Sequence, residues 1–338
     1  MVAVASRSAT KAQAFIDACQ ASVPVAHEVE ALGSYDELLC RDDIDAVYIP
    51  LPTGLRKDWV IKAAVAGKHV MVEKPCAISH ADLTEMVDAC RNNNVQFMDG
   101  VMFMHSDRLP AIRERLDDGR TVGTLRRIAT QFSFCADEEW VASNIRASSE
   151  LEPAGCLGDL GWYTTRITLF AMKYELPVRV RGQILHGAKR PDSPLEVPME
   201  FQGELHFADG QTATFYNSFR GNHQQWVHLS GTAGYIEWKD FVLPYYGNTV
   251  TFETGNHDFA VDGCDFNMER HREVVELPEY SNNHATAQET KLFRNFSQLV
   301  LDGRIDDFWP DVALKTQLVL DAVLQSARND GDWVQLGD

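Results

Sequence analysis

Residues 67–75 read GKHVMVEKP, and this stretch decides the fold. Its apolar centre predicts a short buried strand, and Gly67 is placed to end the helix before it. The strand ends at Glu73 and Lys74, and Pro75 fixes the turn that follows. A lysine at such a strand end is positioned to point into the crevice of an open sheet rather than across an outer surface. A solvated Glu–Lys pair in a loop explains the same tripeptide, so the surrounding sequence has to decide.

Strands and helices alternate on both sides of this stretch. Before it, IDAVYIPLP (residues 44–52) predicts a strand and residues 55–66 an amphipathic helix. After it, Ser79 and Asp82 form a capping box for a helix that leads into the strand VQFMDGVM. Strands that recur about every 24 residues with helices between them are typical of a parallel, doubly wound sheet. Ligands of such sheets bind at the carboxyl ends of the strands.

The pattern changes near residue 104. Long segments such as LRRIATQFSF and VRVRGQILHG alternate apolar with polar residues, and Asp209-Gly210 is a tight-hairpin signal. They predict a largely antiparallel open sheet with one face packed on helices and the other free to pair with a second subunit. We therefore expect an α/β chain of two domains. Residues 1–103 would hold the parallel sheet, and residues 104–338 an α+β arrangement around the open sheet.

One predicted helix, AGCLGDLGWYTTRITLF, has an unusual number of glycines. Gly155, Gly158 and Gly161 crowd its first turns, where each costs about 1 kcal/mol relative to alanine and lets a flat ring or another backbone come close. Asp159 and Tyr163 are four residues apart and therefore share one helix face. The two residues could form part of a functional site, or Asp159 could be a charge at a helix end and Tyr163 a half-buried aromatic. The pattern alone leaves both interpretations open.

Composition argues against several classes of protein. Lys and Arg number 31 against 49 Asp and Glu, and the formal charge of −18 disfavours a nucleic-acid partner. We find no apolar run of about 18 residues and no leader, so we expect a cytoplasmic chain without a membrane partner. The seven cysteines form no C-x-x-C pair and are interpreted as reduced thiols. The histidines lack metal-ligand spacing and no G-x-S-x-G motif occurs, so neither metal nor serine-hydrolase catalysis is expected.

Three segments together resemble the glucose-fructose oxidoreductase / inositol dehydrogenase (Gfo/Idh/MocA) family of NAD(P)-dependent oxidoreductases: GKHVMVEKP, GDLGWY and the closing WPDVALKTQLVLDAVLQSAR. The resemblance runs in order through nearly the whole chain. It implies a Rossmann-type nicotinamide-binding domain followed by a domain that carries the substrate pocket and the dimer contact. We therefore expect a homodimer or higher homo-oligomer formed through the C-terminal sheet. The implied activity is hydride transfer between nicotinamide and a CH–OH carbon of a sugar, cyclic polyol or dihydrodiol.

The resemblance also implies catalytic residues. Lys74 matches the family lysine that contacts the nicotinamide ribose and the substrate oxygen, and Asp159 matches an acidic residue that helps to bind substrate. Tyr163 stands where most members have a catalytic histidine. A tyrosine there resembles the subgroup of dimeric dihydrodiol dehydrogenase and NADP-dependent xylose dehydrogenase, in which the phenol is taken as the acid/base. An ammonium about 4 Å from a phenol contributes up to roughly 4 kcal/mol at an effective dielectric of about 20. We therefore expect Lys74 to lower the pKa of Tyr163 from about 10 far enough for proton exchange near neutral pH.

The preferred cofactor is predicted from Ser6 and Arg7. After the second strand of a dinucleotide fold an acidic residue binds the ribose 2′-hydroxyl, whereas an arginine accommodates a 2′-phosphate. Ser6-Arg7 without an acidic neighbour favours NADP over NAD, and a solvated turn arginine is the alternative. The family often has histidine at the position of Arg56. We expect further cofactor contacts in two strand-end turns and in the segment EEWVASNIRASS, at Pro50, Leu51, Pro52, Thr53, Glu73, Lys74, Pro75, Trp140 and Arg146.

The chain opens on MVAVASRSATKAQ, which predicts the second strand of a dinucleotide-binding unit and its helix. By resemblance, a first strand with a G-x-G-x-x-G loop would precede Met1, and no matching loop occurs elsewhere. That strand is central in the order 3-2-1-4-5-6, so we expect a gap of about 10 Å between its neighbours in the sheet. We interpret the chain as an N-terminally shortened version of a longer protein.

Two other functions fit the same fold. The absent glycine loop favours a non-catalytic, nucleotide-sensing regulatory relative, whereas the joint presence of Lys74, Asp159 and Tyr163 favours the enzyme. A redox-assisted glycosidase is the third interpretation. The sequence identifies neither the substrate nor the direction of the reaction.

Overall fold

The N-terminal part of the molecule consists of short parallel strands with helices between them. The computed structural model describes residues 1–23 and 25–336. Ser8 and Ser79 each accept a backbone N–H as the N-cap of the following helix. The strands are β1 (Ala3–Ala5), β2 (Glu30–Leu32), β3 (Ala46–Ile49), β4 (His69–Val72) and β5 (Phe97–Asp99). The helices are α1 (Ala9–Ser22), α2 (Tyr35–Leu39), α3 (Thr53–Val65) and α4 (His80–Asn92).

These parallel strands form two separate sheets. β1 pairs with β2, and β4 pairs with both β3 and β5, in every case parallel. Within residues 1–23 and 25–336, no hydrogen-bonded strand joins β1 to β3. The gap that the sequence predicts in the doubly wound sheet therefore lies between these two sheets.

The C-terminal part is built around one nine-stranded sheet. Its strands are β6 (Leu125–Cys135), β7 (Arg179–Ala188), β8 (Val197–His206), β9 (Thr212–Ser218), β10 (Arg220–Gly231), β11 (Tyr235–Trp238), β12 (Val250–Asp262), β13 (Asp265–Leu277) and β14 (Val334–Gln335). They lie in the order 13-12-11-10-6-9-8-7-14, and only β6 and β9 pair in parallel. The predicted, largely antiparallel open sheet is confirmed. The helices are α5 (Arg108–Asp117), α6 (Glu138–Ser143), α7 (Gly155–Asp159), α8 (Gly161–Ala171), α9 (Gln288–Leu301) and α10 (Phe308–Arg328).

The glycine-rich helix is interrupted, which corrects the expectation of one continuous helix. α7 ends at Asp159, α8 begins at Gly161, and Leu160 lies between them. A Cβ on Gly155 would lie 2.1 Å from the Pro198 carbonyl oxygen, and the φ of this glycine is +49°. Glycine is required there because β8 approaches the helix so closely. The expected close approach of a second backbone is confirmed.

A long hairpin, β12–β13, extends beyond the rest of the sheet. The two strands pair continuously to the Asp262–Asp265 turn, whereas β11 pairs with β12 only as far as Gly255. Residues 256–271 form a two-stranded projection that we call the arm. The sequence patterns described above did not predict this element.

The two parts of the chain share a continuous core. Every residue of α8 is buried. On the other side of the small parallel sheet, Leu292, Phe296 and Leu299 of α9 pack on Met71 and Met98. Among the helices described, none has both the length and the apolar character needed to cross a membrane.

Candidate active site

Lys74 lies at the centre of the candidate site, directly after β4. Its ammonium donates to Oδ1 of Asp159 at 2.7 Å and to the main-chain carbonyl of the same residue at 2.8 Å. The same nitrogen lies 4.3 Å from the centre of the Tyr163 ring. The structure therefore brings together the three side chains predicted to be catalytic, one from the N-terminal part and two from the C-terminal part.

Asp159 is held by two cations. Its second oxygen, Oδ2, forms an ion pair with Nε of Arg146 at 2.7 Å. Burial by itself raises the pKa of Asp159, but Lys74 and Arg146 outweigh that effect, so the pKa lies below its ordinary value. The carboxylate is therefore ionised at neutral pH. Together, Asp159, Lys74 and Arg146 carry a net positive charge.

Tyr163 is buried beside this ammonium. Its ring packs with Phe103 and Phe132, at centroid distances of 6.1 and 5.7 Å, and its hydroxyl lies 3.8 Å from Sδ of Met102. Burial raises the pKa of the phenol, and the opposing effect of Lys74 is smaller. The expectation of a lowered pKa is wrong in its net direction because the apolar surroundings disfavour the phenolate more than the ammonium favours it. The phenol is protonated at neutral pH.

Arg146 and Trp140 come from the segment EEWVASNIRASS but lie in different surroundings. The side chain of Arg146 is 39% exposed, so it is the solvent-facing member of the charged group around Asp159. Trp140 packs on Phe134 and Phe219 at centroid distances of 5.6 and 5.1 Å. It belongs to an aromatic cluster of the C-terminal part, and its contact with a cofactor stays a prediction.

A glutamate from the C-terminal part binds the start of α3. The backbone N–H of Thr53 donates to Oε1 of Glu152 at 3.0 Å, and the Thr53 hydroxyl donates to Oε2 at 2.6 Å. A Cβ on Gly54 would lie 2.2 Å from the Glu150 carbonyl oxygen, so only glycine permits this contact. The buried carboxylate satisfies a free N–H at the positive end of the helix. The segment that leads from β3 into α3 contains four of the residues predicted to contact the cofactor: Pro50, Leu51, Pro52 and Thr53.

The remaining predicted cofactor residues lie at two strand ends. The Glu73 carboxylate accepts from the Tyr48 hydroxyl at 2.5 Å and from the backbone N–H of Lys74 at 3.2 Å, and the Lys74–Pro75 peptide bond is cis. Ser6 and Arg7 follow β1, in the other parallel sheet. Arg7 is exposed and has no ion-pair partner in the part of the chain that the structure describes.

The sequence did not indicate a buried ion pair that connects the two parts. Nη2 of Arg166 lies 2.7 Å from Oδ2 of Asp99, and neither side chain has any exposed surface. Nε1 of Trp162 donates to the same carboxylate oxygen at 3.1 Å. Two signals could have suggested the pair: an acidic residue at the end of an apolar strand, and an arginine in an otherwise uncharged helix. Arg56 and Glu152, also buried, were likewise not predicted as functional.

Comparison with known proteins finds matches for both parts of the chain. Residues 1–101 match an oxidoreductase family with an NAD-binding Rossmann fold, and residues 110–237 match the GFO/IDH/MocA C-terminal domain. The uncharacterized oxidoreductase ORF334 of Rhizobium meliloti is 35% identical over 335 residues, which cover 98% of this chain and 90% of that protein. The chain therefore belongs to the Gfo/Idh/MocA oxidoreductase family. The predicted family and its nicotinamide-dinucleotide fold are confirmed.

Two further relatives are named for reactions on keto groups. The dTDP-3,4-didehydro-2,6-dideoxy-alpha-D-glucose 3-reductase of Streptomyces violaceoruber is 36% identical over 183 residues, which cover 54% of this chain and 49% of that protein. The aligned segment thus spans about half the length of that relative. The crystal structure of KijD10, a 3-ketoreductase from Actinomadura kijaniata in complex with NADP and TDP-benzene, is 25% identical with a TM-score of 0.78. That match covers 96% of this chain and 89% of KijD10.

Proposed function

We propose that this chain is an NADP-dependent oxidoreductase that transfers hydride between nicotinamide and a CH–OH carbon of a sugar, cyclic polyol or dihydrodiol. The observation that carries the proposal is the position of the Lys74 ammonium, 2.7 Å from the Asp159 carboxylate and 4.3 Å from the Tyr163 ring centre. This group lies at the carboxyl end of β4, where open parallel sheets bind their ligands. A bound nicotinamide supplies the hydride acceptor or donor for such chemistry.

Tyr163 is the proposed acid/base, assisted by Lys74. Because burial keeps the phenol protonated, Tyr163 acts as an acid at neutral pH. In the reductive direction the carbonyl carbon gains a hydride, its oxygen gains the phenolic proton, and a CH–OH group and a phenolate result. The Lys74 ammonium stabilises the negative charge on the substrate oxygen and then on the phenolate. In the oxidative direction the phenolate must form first, so burial favours reduction at neutral pH.

Asp159 is proposed to bind a hydroxyl group next to the reacting carbon. Each of its carboxylate oxygens already pairs with one cation, Lys74 or Arg146. A carboxylate oxygen can accept more than one hydrogen bond, so both oxygens retain capacity for a substrate hydroxyl. The exposed guanidinium of Arg146 would lie beside the same substrate.

The residues present fit the two ends of a dinucleotide. Arg7 follows β1, is exposed and has no acidic partner among the described residues, which suits a 2′-phosphate and favours NADP over NAD. The turns at residues 50–53 and 73–75 are proposed to contact the nicotinamide half, and Trp140 is proposed to approach the cofactor or the substrate. We propose residues 1–103 as the dinucleotide-binding domain and residues 104–338 as the substrate and dimerisation domain.

The experiment that tests the proposal compares two tyrosine variants. Tyr163→Phe removes the phenol of the site, and Tyr174→Phe removes a partly buried phenol elsewhere, whose pKa is raised by desolvation to about 12. Turnover of NADP⁺ with aldoses, inositols and trans-dihydrodiols, and of NADPH with ketosugars including dTDP-linked ones, is measured beside NADPH binding by fluorescence. We expect Tyr163→Phe to abolish turnover while NADPH still binds, and Tyr174→Phe to behave as wild type.

Two outcomes would contradict the proposal in different ways. Unchanged turnover in Tyr163→Phe would remove the acid/base role while leaving the oxidoreductase activity standing. NADPH binding by the wild-type chain without turnover of any substrate would instead favour the nucleotide-sensing relative.

We further propose a homodimer formed through the open face of the nine-stranded sheet. The register pairs Phe259 with Met268 and Val261 with Phe266, so these four exposed side chains share one face of the arm. That face continues along β12 into the open face of the sheet. There the Tyr235 hydroxyl of β11 donates to Oε1 of Glu253 on β12 at 2.9 Å. Exposed apolar surface of this kind is stabilised when a partner covers it.

The proposed location is the cytoplasm, without a nucleic-acid or membrane partner. The seven cysteines are free thiols in the structure, which suits a reducing compartment. The excess of acidic side chains disfavours binding to phosphate backbones and to anionic lipid surfaces.

A further inference from the structure

A buried arginine holds the backbone on both sides of Lys74. Nη1 of Arg56, on α3, donates to the carbonyl of Glu73 at 2.8 Å and also to the carbonyl of Pro75. Nε of the same side chain donates to the carbonyl of Leu51 at 2.6 Å. One guanidinium therefore connects the ends of β3 and β4. Two of its three acceptors flank Lys74 directly.

The charge of Arg56 is costly to bury. The residue is only 5% exposed, and no carboxylate lies within ion-pair distance of it in residues 1–23 and 25–336. Burial lowers the pKa of Arg56, and Glu152 is the acidic group that opposes this effect most strongly. An apolar side chain would fill the same volume without a desolvation cost. The contacts that only a guanidinium can make therefore account for an arginine at this position.

Arginine suits this position because of its geometry. Its planar guanidinium presents five N–H donors in a fixed arrangement, whereas lysine is a flexible point charge and imidazole has two ring nitrogens. Histidine has at most two N–H donors for three carbonyls, and lysine carries its three donors on one atom at the end of a flexible stem. A histidine at position 56 would thus leave at least one of the carbonyls of Leu51, Glu73 and Pro75 without a donor from this side chain.

We propose that Arg56 is a positioning residue for Lys74. By fixing the carbonyls of Glu73 and Pro75, it holds the intervening backbone, and so keeps the Lys74 ammonium between Asp159 and the Tyr163 ring. The consequence for catalysis rests on the function proposed above, but the positioning itself can be measured without turnover. Loss of Arg56 leaves two carbonyls at the strand end without their donor and frees the turn to move.

Glu152 supports this arrangement from the other part of the chain. Its carboxylate binds Thr53, whose hydroxyl oxygen lies 3.3 Å from the Pro75 carbonyl that Arg56 also contacts. The negative charge of Glu152 therefore lies next to the hydrogen-bond network of Arg56, and partly compensates the buried cation. Arg56, from the N-terminal part of the chain, holds the turn after β4. Glu152, from the C-terminal part, holds the start of α3.

The test measures the accessibility of the Lys74 amine in the full chain. Wild type, Arg56→His and Arg56→Gln are treated with acetic anhydride at constant pH, and acetylation at each lysine is followed by mass spectrometry. Lys62, which is half exposed, is the internal reference. Arg113→Gln is the matched control, because Arg113 also donates to two main-chain carbonyls, those of Phe170 and Ala171, at the end of α8.

We expect acetylation of Lys74 relative to Lys62 to rise by roughly tenfold in Arg56→Gln and Arg56→His, the change that follows from losing one charge-assisted hydrogen bond. Arg113→Gln should leave this ratio unchanged. Where a substrate is turned over, Arg56→Gln and Arg56→His should also lower kcat, whereas Arg113→Gln should not.

Unchanged Lys74 acetylation in folded Arg56→Gln would overturn the proposal. If that variant does not fold, Arg56→His decides, because an imidazole has at most two N–H donors for the three carbonyls. A Lys74 ratio equal to wild type in Arg56→His would likewise refute the positioning role. Altered acetylation without any turnover in wild type would instead contradict only the proposed function.

Discussion

Replacing Asp99 with asparagine should destabilise the whole chain strongly. The Asp99 carboxylate accepts from Nη2 of Arg166 at 2.7 Å and from Nε1 of Trp162 at 3.1 Å, with no exposed side-chain surface on the ion pair. Asp99→Asn keeps the shape but leaves the buried guanidinium without its counter-charge. Breaking a buried pair in this way costs about 3–5 kcal/mol. For a chain of this length the same loss lowers Tm by about 4–7 °C.

The assay is urea unfolding followed by tryptophan fluorescence, with Tm from calorimetry as a second measurement. Arg91→Gln provides the control, because Arg91 and Asp311 form an ion pair whose side chains are 40% and 55% exposed. An exposed pair contributes at most about 1 kcal/mol. Asp99→Leu combined with Arg166→Met removes both charges, so this double variant should recover most of the stability. A loss below about 1 kcal/mol in Asp99→Asn, or a double variant worse than both single variants combined, would refute this account.

Three further predictions concern the site and its surroundings. Because burial raises the pKa of Tyr163, reduction rates should stay level across neutral pH, while oxidation rates should rise as the pH approaches about 10. Steady-state rates measured against pH test this, and a reduction rate that titrates near neutrality would contradict it. Glu152→Gln should reduce the free energy of unfolding by about 1.5–3 kcal/mol, since it weakens two charge-assisted hydrogen bonds to Thr53. The exposed Glu150→Gln is its control in urea unfolding, and equal effects would exclude the role of the buried carboxylate. Phe259→Asp with Phe266→Asp should weaken self-association at least roughly tenfold in sedimentation velocity, whereas Asn267→Asp on the opposite face of the arm should not.

Local rules explain why much of the fold follows from the sequence. Ser79 caps α4 as its spacing from Asp82 predicts, with the Asp82 N–H 3.2 Å from its hydroxyl oxygen. Gly210 takes a φ of +82° in the predicted hairpin turn. The nine residues GKHVMVEKP predict that Lys74 lies at a strand end, and in the structure it follows the end of β4. The same rule applied to Asp262-Gly263, where Gly263 has a φ of +57°, would have indicated the arm as well.

The parts that sequence reasoning missed depend on groups that are distant along the chain. Glu152 reaches Thr53 across 99 positions, and Arg166 reaches Asp99 across 67. No local pattern links such residues, because only the packing of the two parts brings them together. The pKa of Tyr163 shows the same limit, since the spacing of residues can suggest a nearby lysine but not how completely the phenol is removed from water.

Buried charges from the two parts of the chain compensate one another across the seam between them. Lys74 meets Asp159, Asp99 meets Arg166, and the field of Glu152 acts on Arg56, so each charge from one part has its opposite in the other. Removing one member of a buried pair such as Asp99–Arg166 would leave its partner's charge buried and unpaired, at a cost of several kcal/mol. Arg146 is the charged neighbour of Asp159 that remains substantially exposed, so it is the member of this group that solvent reaches.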